Sequence, residues 1–311
     1  MEKRITIGKN EKYPLSGILS LPADSAARVP AVLLVHGSGP NDMDETVFAN
    51  KPFRDIAEYL PSKGIAVARY DKRLFTYGKQ MVKAKDFGSS ITVKEEVIED
   101  AVFAANLLRQ DSRIDPNRIY VLGHSLGGML APRIDAEGGN FAGLILFGSS
   151  PRALTDILLD QQDEMLGQSG ILLRAILKRY FAPMRKKIAA MDSMTEAEAK
   201  KTKMIGSVSL WYFKEMAEHQ AADYLTPLEK PVLILQGEKD SHVTVEKDFA
   251  LYQELCAGKQ NVRFKLYPEL NHLFMKSVYG NIRDLKREYK IPQKIDPTVM
   301  DNIAEFILGS S

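Results

Sequence analysis

The chain has 311 residues, which suits one large core carrying an appended module better than several small independent domains. Lys and Arg total 42 against 40 Asp and Glu, and the formal charge of +2 supplies no electrostatic drive toward nucleic acid; the short Arg185-Lys186-Lys187 run reads as a solvated helix face. The basic N-terminus has no apolar run behind it and no segment approaches the roughly 20 apolar residues of a membrane span, so the expectation is a cytoplasmic protein with neither a membrane nor a nucleic-acid partner.

In chain order, residues 4–7 and 13–21 read as leading strands, and residues 31–35 as a continuous apolar strand that breaks into His36-Gly37-Ser38-Gly39-Pro40. A helix over 53–60 and a strand over 65–70 follow. Residues 92–108 form an amphipathic helix in which Val97, Ala101, Ala104 and Leu108 make the apolar stripe, while Glu95, Glu96, Glu99 and Asp100 lie mostly off it. Strands are predicted at 119–122 and 143–147. The alternation then stops: residues 151–225 read as a helical insertion, with Leu172, Ile176 and Tyr180 four apart and Met204, Val208 and Trp211 as a second stripe. Strands resume at 231–236 and 262–267 around a helix at 245–255, and a last helix spans 297 to about 308. Cys256, the single cysteine, excludes an internal disulfide and has the neighbours of a small apolar core side chain. Strands alternating with helices call for a largely parallel sheet covered on both faces.

The sharpest local signal is Gly123-His124-Ser125-Leu126-Gly127, directly after a predicted strand and before a segment that continues as helix. A strand that turns abruptly into a helix needs glycine-sized residues at 123 and 127. Ser125 is thereby held at the tip of the turn, with a helix N-terminus favouring negative charge beside it. A serine hydroxyl is a weak nucleophile and needs a base oriented by an acid. Among five histidines, His272 follows the last predicted strand on a loop and is the base candidate. His36 and His124 come too early in the chain for that role and either line the site or make local hydrogen bonds; His242 reads as a rim or surface residue and His219 as a surface or cap residue. Asp240, just past the 231–236 strand, is the acid, with Glu238 its local rival and Asp248 less conveniently placed. The amide of Leu126 is one oxyanion donor; the second comes from the loop after Val35, with Ser38 first and Gly37 or Gly39 close rivals.

On His36-Gly37-Ser38-Gly39-Pro40-Asn41-Asp42, Tyr70-Asp71-Lys72-Arg73 and Gly123-His124-Ser125-Leu126-Gly127-Gly128-Met129, the sequence resembles the α/β-hydrolase superfamily over nearly its full length. More narrowly it looks like bacterial esterases close to dienelactone-hydrolase-like and cinnamoyl-esterase-like proteins. The resemblance implies an α/β-hydrolase fold, with a catalytic domain at 1–150 and 226–311 and residues 151–225 as a helical cap. It matches Ser125 to the nucleophile, Asp240 to the acid, His272 to the base, and Leu126 with the Ser38 region to the oxyanion hole.

The expected reaction is hydrolysis of a small or medium carboxylic ester through an acyl-serine, by a monomer or homodimer with no cofactor and no metal. Gly37, Gly39, His124, Trp211 and Tyr212 are candidate substrate contacts; the aromatic residues around Trp211 either line an acyl pocket or seal the insertion against the sheet. Asp71, Lys72 and Arg73 either buttress the Ser38 loop by ion pairs, with one another or with Asp42 and Asp44 as partners, or bind an acidic substrate group. Residues 275–290, with Tyr279 and Tyr289, form either a wall of the pocket or a solvated helix. The same triad serves thioester hydrolysis, for which Arg185 to Lys187 would offer a basic approach, and removal of an N-terminal amino acid, for which Glu164, Glu215 or Glu218 would bind the amine. A noncatalytic binding protein on the same fold is the remaining alternative.

Overall fold

The computed structural model describes residues 1–23, 27–83, 90–206 and 208–309. Ten strands are numbered here in chain order: β1 (Glu2–Ile7), β2 (Leu15–Ser20), β3 (Val29–Val35), β4 (Ala66–Tyr70), β5 (Ile114–His124), β6 (Gly143–Phe147), β7 (Lys203–Ile205), β8 (Val208–Ser209), β9 (Val232–Gly237) and β10 (Val262–Tyr267). Eight form one sheet in the order β1-β2-β4-β3-β5-β6-β9-β10, in which β2 alone runs against the others. This is the α/β-hydrolase architecture that the alternation of elements and the motifs imply.

Helices α1 (Pro52–Tyr59), α2 (Arg73–Lys83), α3 (Glu99–Gln110) and α4 (Leu126–Ile134) belong to the first half of the sheet, and α10 (Ala250–Leu255), α11 (Leu285–Glu288) and α12 (Pro297–Gly309) to the second. The period of two along each strand divides the core into two layers. Leu33, Val121, Leu144, Leu146 and Ile234 pack with α3 and α4 on one face. Val32, Leu34, Leu122, Ile145 and Leu235 pack with α1 and α12 on the other. Strands buried on both faces read as uninterrupted apolar runs, which is why β3, β6 and β9 were legible from composition.

Between β6 and β9 the chain forms α5 (Leu154–Gly167), α6 (Ile171–Ala190), α7 (Glu196–Lys201), α8 (Leu210–Ala217) and α9 (Ala221–Leu225). A small antiparallel pair, β7 with β8, interrupts them; the sequence pattern contained no strand there because so short a pair shows no alternation. Ile157, Met191, Leu210, Tyr212, Phe213 and Met216 join the core layer of α3 and α4, so the insertion shares its interior with the sheet. The stripe Leu172, Ile176 and Tyr180 on α6 is helical but points outward and is exposed. Two acidic residues expected off the buried face, Glu96 and Asp100, are buried, because they pair with Lys72, just past β4, and Arg73, the first residue of α2. Cys256 is buried at the end of α10, and burial raises its thiol pKa. Among the described residues no helix is long and apolar enough to cross a membrane.

The β5-to-α4 turn admits no side chain at its flanking glycines. A Cβ on Gly123 would collide with the backbone of Gly127, and one on Gly127 with the carbonyl of Val35 and, at 2.7 Å, that of His36. Gly127→Ala is therefore expected to cost about 3 kcal/mol in urea unfolding. Gly167→Ala, where nothing lies within 4 Å, should be neutral or stabilise by about 0.5 kcal/mol.

Candidate active site

Five neighbouring strands of the sheet, β3, β5, β6, β9 and β10, deliver their carboxyl ends to one edge, and the chemistry-bearing residues lie just beyond them. Ser125 follows β5 with φ 53° and ψ −117°, a left-handed backbone that costs a non-glycine residue of order 1–3 kcal/mol. Its N–H donates to Phe147 O at 2.9 Å, and its own carbonyl accepts from the amides of Gly128 and Met129. The turn is thus fixed on both sides. Leu126 opens α4, so its amide has no acceptor within the helix.

Asp240 lies past β9 with a fully buried carboxylate. One oxygen accepts from the amides of His242 and Val243 at 2.7 and 3.1 Å; the other accepts from Gln236 Nε2 at 3.2 Å and meets His272 Nδ1 at 2.6 Å. Desolvation pushes Asp240 up to about 6, while burial, reinforced by the neighbouring His124, holds His272 well below the ordinary histidine value. His272 is therefore a neutral ring with one nitrogen committed to a carboxylate.

The loop carrying His272 is held from behind. Asn271 donates to Glu288 at 2.7 Å and accepts from the amides of Leu273 and Met275, while the ring of Phe274 stacks on Phe147 at 3.7 Å. Glu288 is buried and also accepts from the Tyr279 amide at 3.0 Å. The 275–290 segment thus braces this loop, with Tyr289 buried and stacked parallel to His242.

Two further features shape the site, of which the first had no sequence signal. Glu45, buried on an irregular loop, accepts from the Gly37 amide at 2.7 Å with one oxygen and meets His124 Nδ1 at 3.0 Å with the other. His124 Nε2 reaches the His272 carbonyl at 3.1 Å. Both ring nitrogens of His124 face acceptors, which fits a doubly protonated ring. Burial opposes that charge, but Glu45 outweighs it and holds the His124 pKa above its ordinary value. One carboxylate thus ties together the loop after β3, the residue before Ser125 and, through His124, the His272 loop. The second feature is His242, half-buried at the rim of the cavity beside Ser125, its ring 4.4 Å from that of His272 and its pKa lowered to about 3 by desolvation and by the neighbouring His272.

Gly37 is held at both ends, since its carbonyl accepts from Lys72 Nζ at 2.9 Å. Lys72 and Asp71, which takes the Met43 amide at 2.8 Å, buttress this loop. The ion-pair partners differ from those expected: Lys72 pairs with Glu96, Arg73 with Asp100, and Asp44 is taken by Arg69 and Lys51. His36 is a local hydrogen-bonding residue, with Nε2 against Asp42 O at 2.9 Å and a pKa lowered to about 4, mainly by burial.

A cavity of about 90 Å³ sits at Ser125, lined by Ser38, Leu126, Met129, Leu154, Ile157, Leu158, Gln161, His242 and Val243. Gly37 approaches Ser125 so closely that a Cβ there would lie 3.2 Å from the serine Cβ, whereas Gly39 is exposed with φ 90°. Trp211 and Tyr212 lie on α8, outside this lining: Lys200 stands over the Trp211 ring and Tyr212 is buried with its hydroxyl on Glu96 at 2.8 Å. The aromatic pair was expected near substrate from its composition; what the insertion contributes to the cavity is instead Leu154, Ile157, Leu158 and Gln161 of α5.

A strained serine between a sheet and a helix N-terminus, with a buried carboxylate–imidazole pair at the neighbouring strand ends, is the constellation of a serine hydrolase on the α/β-hydrolase fold. The sequence profile described as serine aminopeptidase, S33, matches residues 30–277, and the chain belongs to that family of esterases and peptidases. It is 34% identical to Esterase EstD of Thermotoga maritima over 99% of this chain and 67% of that protein. Among solved structures it resembles Est1E from Butyrivibrio proteoclasticus (TM-score 0.57, 15% identity, 99% and 98% of the two chains). It also resembles a proline iminopeptidase from Mycobacterium smegmatis (TM-score 0.60, 15% identity, 99% and 100%). At these identities the likeness concerns the fold.

Removing Glu45 takes the acceptor from the buried Gly37 amide and the counter-charge from beside His124. Glu45→Ala is expected to lower stability by about 3 kcal/mol or more in chemical denaturation, while Glu45→Gln, which keeps an acceptor for Gly37, should lose less.

Proposed function

We propose that the protein is a serine carboxylesterase that hydrolyses esters of small, uncharged carboxylic acids through an acyl-Ser125 intermediate. The observation that carries this reading is the cavity at Ser125: apart from Ser38, Ser125, Gln161 and His242 its lining is apolar, and it contains no carboxylate and no cation. At roughly 30 Å³ per water-sized group, about 90 Å³ suits an acyl chain of a few carbons.

In this reading His272, neutral because it is buried, takes the Ser125 proton as the oxygen attacks the ester carbonyl. Asp240 fixes the ring by its bond to Nδ1 and stabilises the imidazolium. The amide of Leu126 is one oxyanion donor. For the second, Gly37 is unsuited because its N–H already serves Glu45. The Gly37–Ser38 peptide has its carbonyl on Lys72, so the Ser38 N–H points the opposite way, and Ser38 lines the cavity. The alcohol leaves with the proton from His272, and a water activated by the same ring releases the acid. The segment 151–225 acts as a cap, with α5 supplying Leu154, Ile157 and Leu158 over the acyl group. Gln161 and His242 also line a polar cleft of about 450 Å³, which we assign to the alcohol side.

The rival chemistries fit less well. An aminopeptidase carries its substrate amine on the acyl side, next to the carbonyl. Of the carboxylates considered, Glu215 is bound to Arg133 at 2.6 Å, Glu218 is exposed near Lys214, and Glu164 lies in the polar cleft. A thioesterase for coenzyme A needs a free basic approach, but Arg185 is paired with Asp163 and Lys187 binds a backbone carbonyl. The dienelactone-hydrolase-like and cinnamoyl-esterase-like branches bear on the acid accepted: a hydroxycinnamoyl group is larger than this cavity, so short aliphatic acids are preferred in this proposal.

Assayed on acetyl, butyryl, octanoyl and hydroxycinnamoyl esters, an acyl-CoA and aminoacyl amides, the wild type should favour acetyl and butyryl esters. Ser125→Ala should lower that turnover by at least about 10³-fold. Preference for aminoacyl amides, or turnover that survives the substitution, would reject the proposal.

The acid limb of kcat/KM belongs to the coupled Asp240–His272 pair. With Asp240 raised to about 6 and His272 lowered, protonation removes the base arrangement as pH falls through about 6, and activity is retained above it. A kcat/KM profile that stays flat to pH 4 would contradict this assignment.

A further inference from the structure

The Ser38 amide can serve an oxyanion only if its peptide plane is held, and that plane is set by the Gly37 carbonyl at its other end. Two side chains donate to this carbonyl, buried Lys72 Nζ at 2.9 Å and Asn41 Nδ2 at 3.2 Å, and Lys72 also pairs with Glu96 Oε1 at 3.2 Å. The other oxygen of Glu96 accepts from the Tyr212 hydroxyl at 2.8 Å. The Lys72, Glu96 and Tyr212 side chains are all buried. The chain of contacts joins the loop after β3, the turn ahead of α3 and helix α8 of the insertion.

Packing alone does not call for these residue types. An ammonium and a carboxylate withdrawn from water are costly, and an apolar trio would seal the same space as well or better. Their arrangement divides the Glu96 carboxylate, one oxygen for Lys72 and one for Tyr212. Without the phenol, the carboxylate is free to swing both oxygens onto the ammonium and draw it from Gly37 O. Burial and the Glu96 charge keep the phenol neutral and donating throughout the working range.

We infer that Tyr212 is a positioning residue, holding the Gly37–Ser38 peptide in its oxyanion-binding orientation through Glu96 and Lys72, and so coupling helix α8 to the rate of acyl transfer. The inference rests on the esterase reading above. It gives Tyr212 a role behind the oxyanion loop, in place of the substrate contact expected from its aromatic character.

The test is steady-state hydrolysis of p-nitrophenyl acetate, butyrate and octanoate by wild type, Tyr212→Phe, Glu96→Gln and Ser125→Ala, with kcat taken per folded protein. Inhibition by a trifluoromethyl ketone, whose serine adduct carries an oxyanion, is measured alongside. Loss of a whole oxyanion donor costs about 10²–10³-fold, and a misaligned donor should cost about tenfold. Tyr212→Phe is expected to lower kcat by that factor equally for the three esters with KM little changed, and to weaken the ketone by a matching factor. Glu96→Gln keeps an acceptor for Tyr212 but removes the charge facing Lys72; it should show the same pattern, so the test stands even where one of the two variants folds poorly. A shift in melting temperature with kcat unchanged would overturn the inference by reducing the phenol to a packing role. A loss residing in KM and growing with acyl length would overturn it in favour of a pocket-lining role. Wild-type turnover that is absent or survives Ser125→Ala would instead bring down the esterase reading itself, and this inference with it.

Discussion

Ser125 holds a left-handed φ of 53° while carrying a side chain, and everything near it acts to deny it an easier conformation. The amide is spent on Phe147 O at the end of β6, the carbonyl on the first turn of α4, and the flanking glycines pack backbone against backbone with no room to relax. Strain of this kind persists only where the surroundings over-determine it. Its consequence is positional: Ser125 lines the cavity beyond the sheet edge, with Gly37 of the loop after β3 close beside it.

Those loops are fixed by buried charge. Asp240 is satisfied by four donors, of which His272 is one, and the His272 loop is braced through Asn271 and Glu288. Glu45 joins Gly37 to His124, and Lys72 holds the opposite end of Gly37. Each ionised group is enclosed and each has a partner of opposite charge or several donors, the condition under which buried charge is tolerated. The apolar volume left at Ser125 is small because α5 closes over it, sharing the core layer of α3 and α4.

The architecture was legible because its signals are local. β3, β6 and β9 are apolar runs; the glycines at 123 and 127 mark a turn only they can make; Asp240 and His272 follow strands in the order the fold requires. The supporting charges were not. Glu96 and Asp100 look solvent-facing on a helical wheel because their partners, Lys72 and Arg73, come from the junction of β4 and α2 more than 20 residues earlier. Glu45 sits on a loop without periodicity, so its burial leaves no pattern. Helix α2 carries a short stripe, Leu74, Tyr77 and Met81 at i, i+3 and i+7, which packs as its own small cluster and was overlooked beside the charges that surround it. The aromatic residues of α8 illustrate the converse: composition suggested substrate contact, yet the Tyr212 hydroxyl is committed to Glu96.

The central claim is that Ser125, and no other nucleophile, forms the covalent intermediate. It is tested most directly by treating the folded protein with a p-nitrophenyl dialkyl phosphate and locating the phosphoryl adduct by peptide mass spectrometry. The account predicts one adduct per chain, on the peptide containing Ser125, and its disappearance when the protein is unfolded before treatment. Labelling of a different residue in the folded protein, or equal labelling of the unfolded chain, would contradict it.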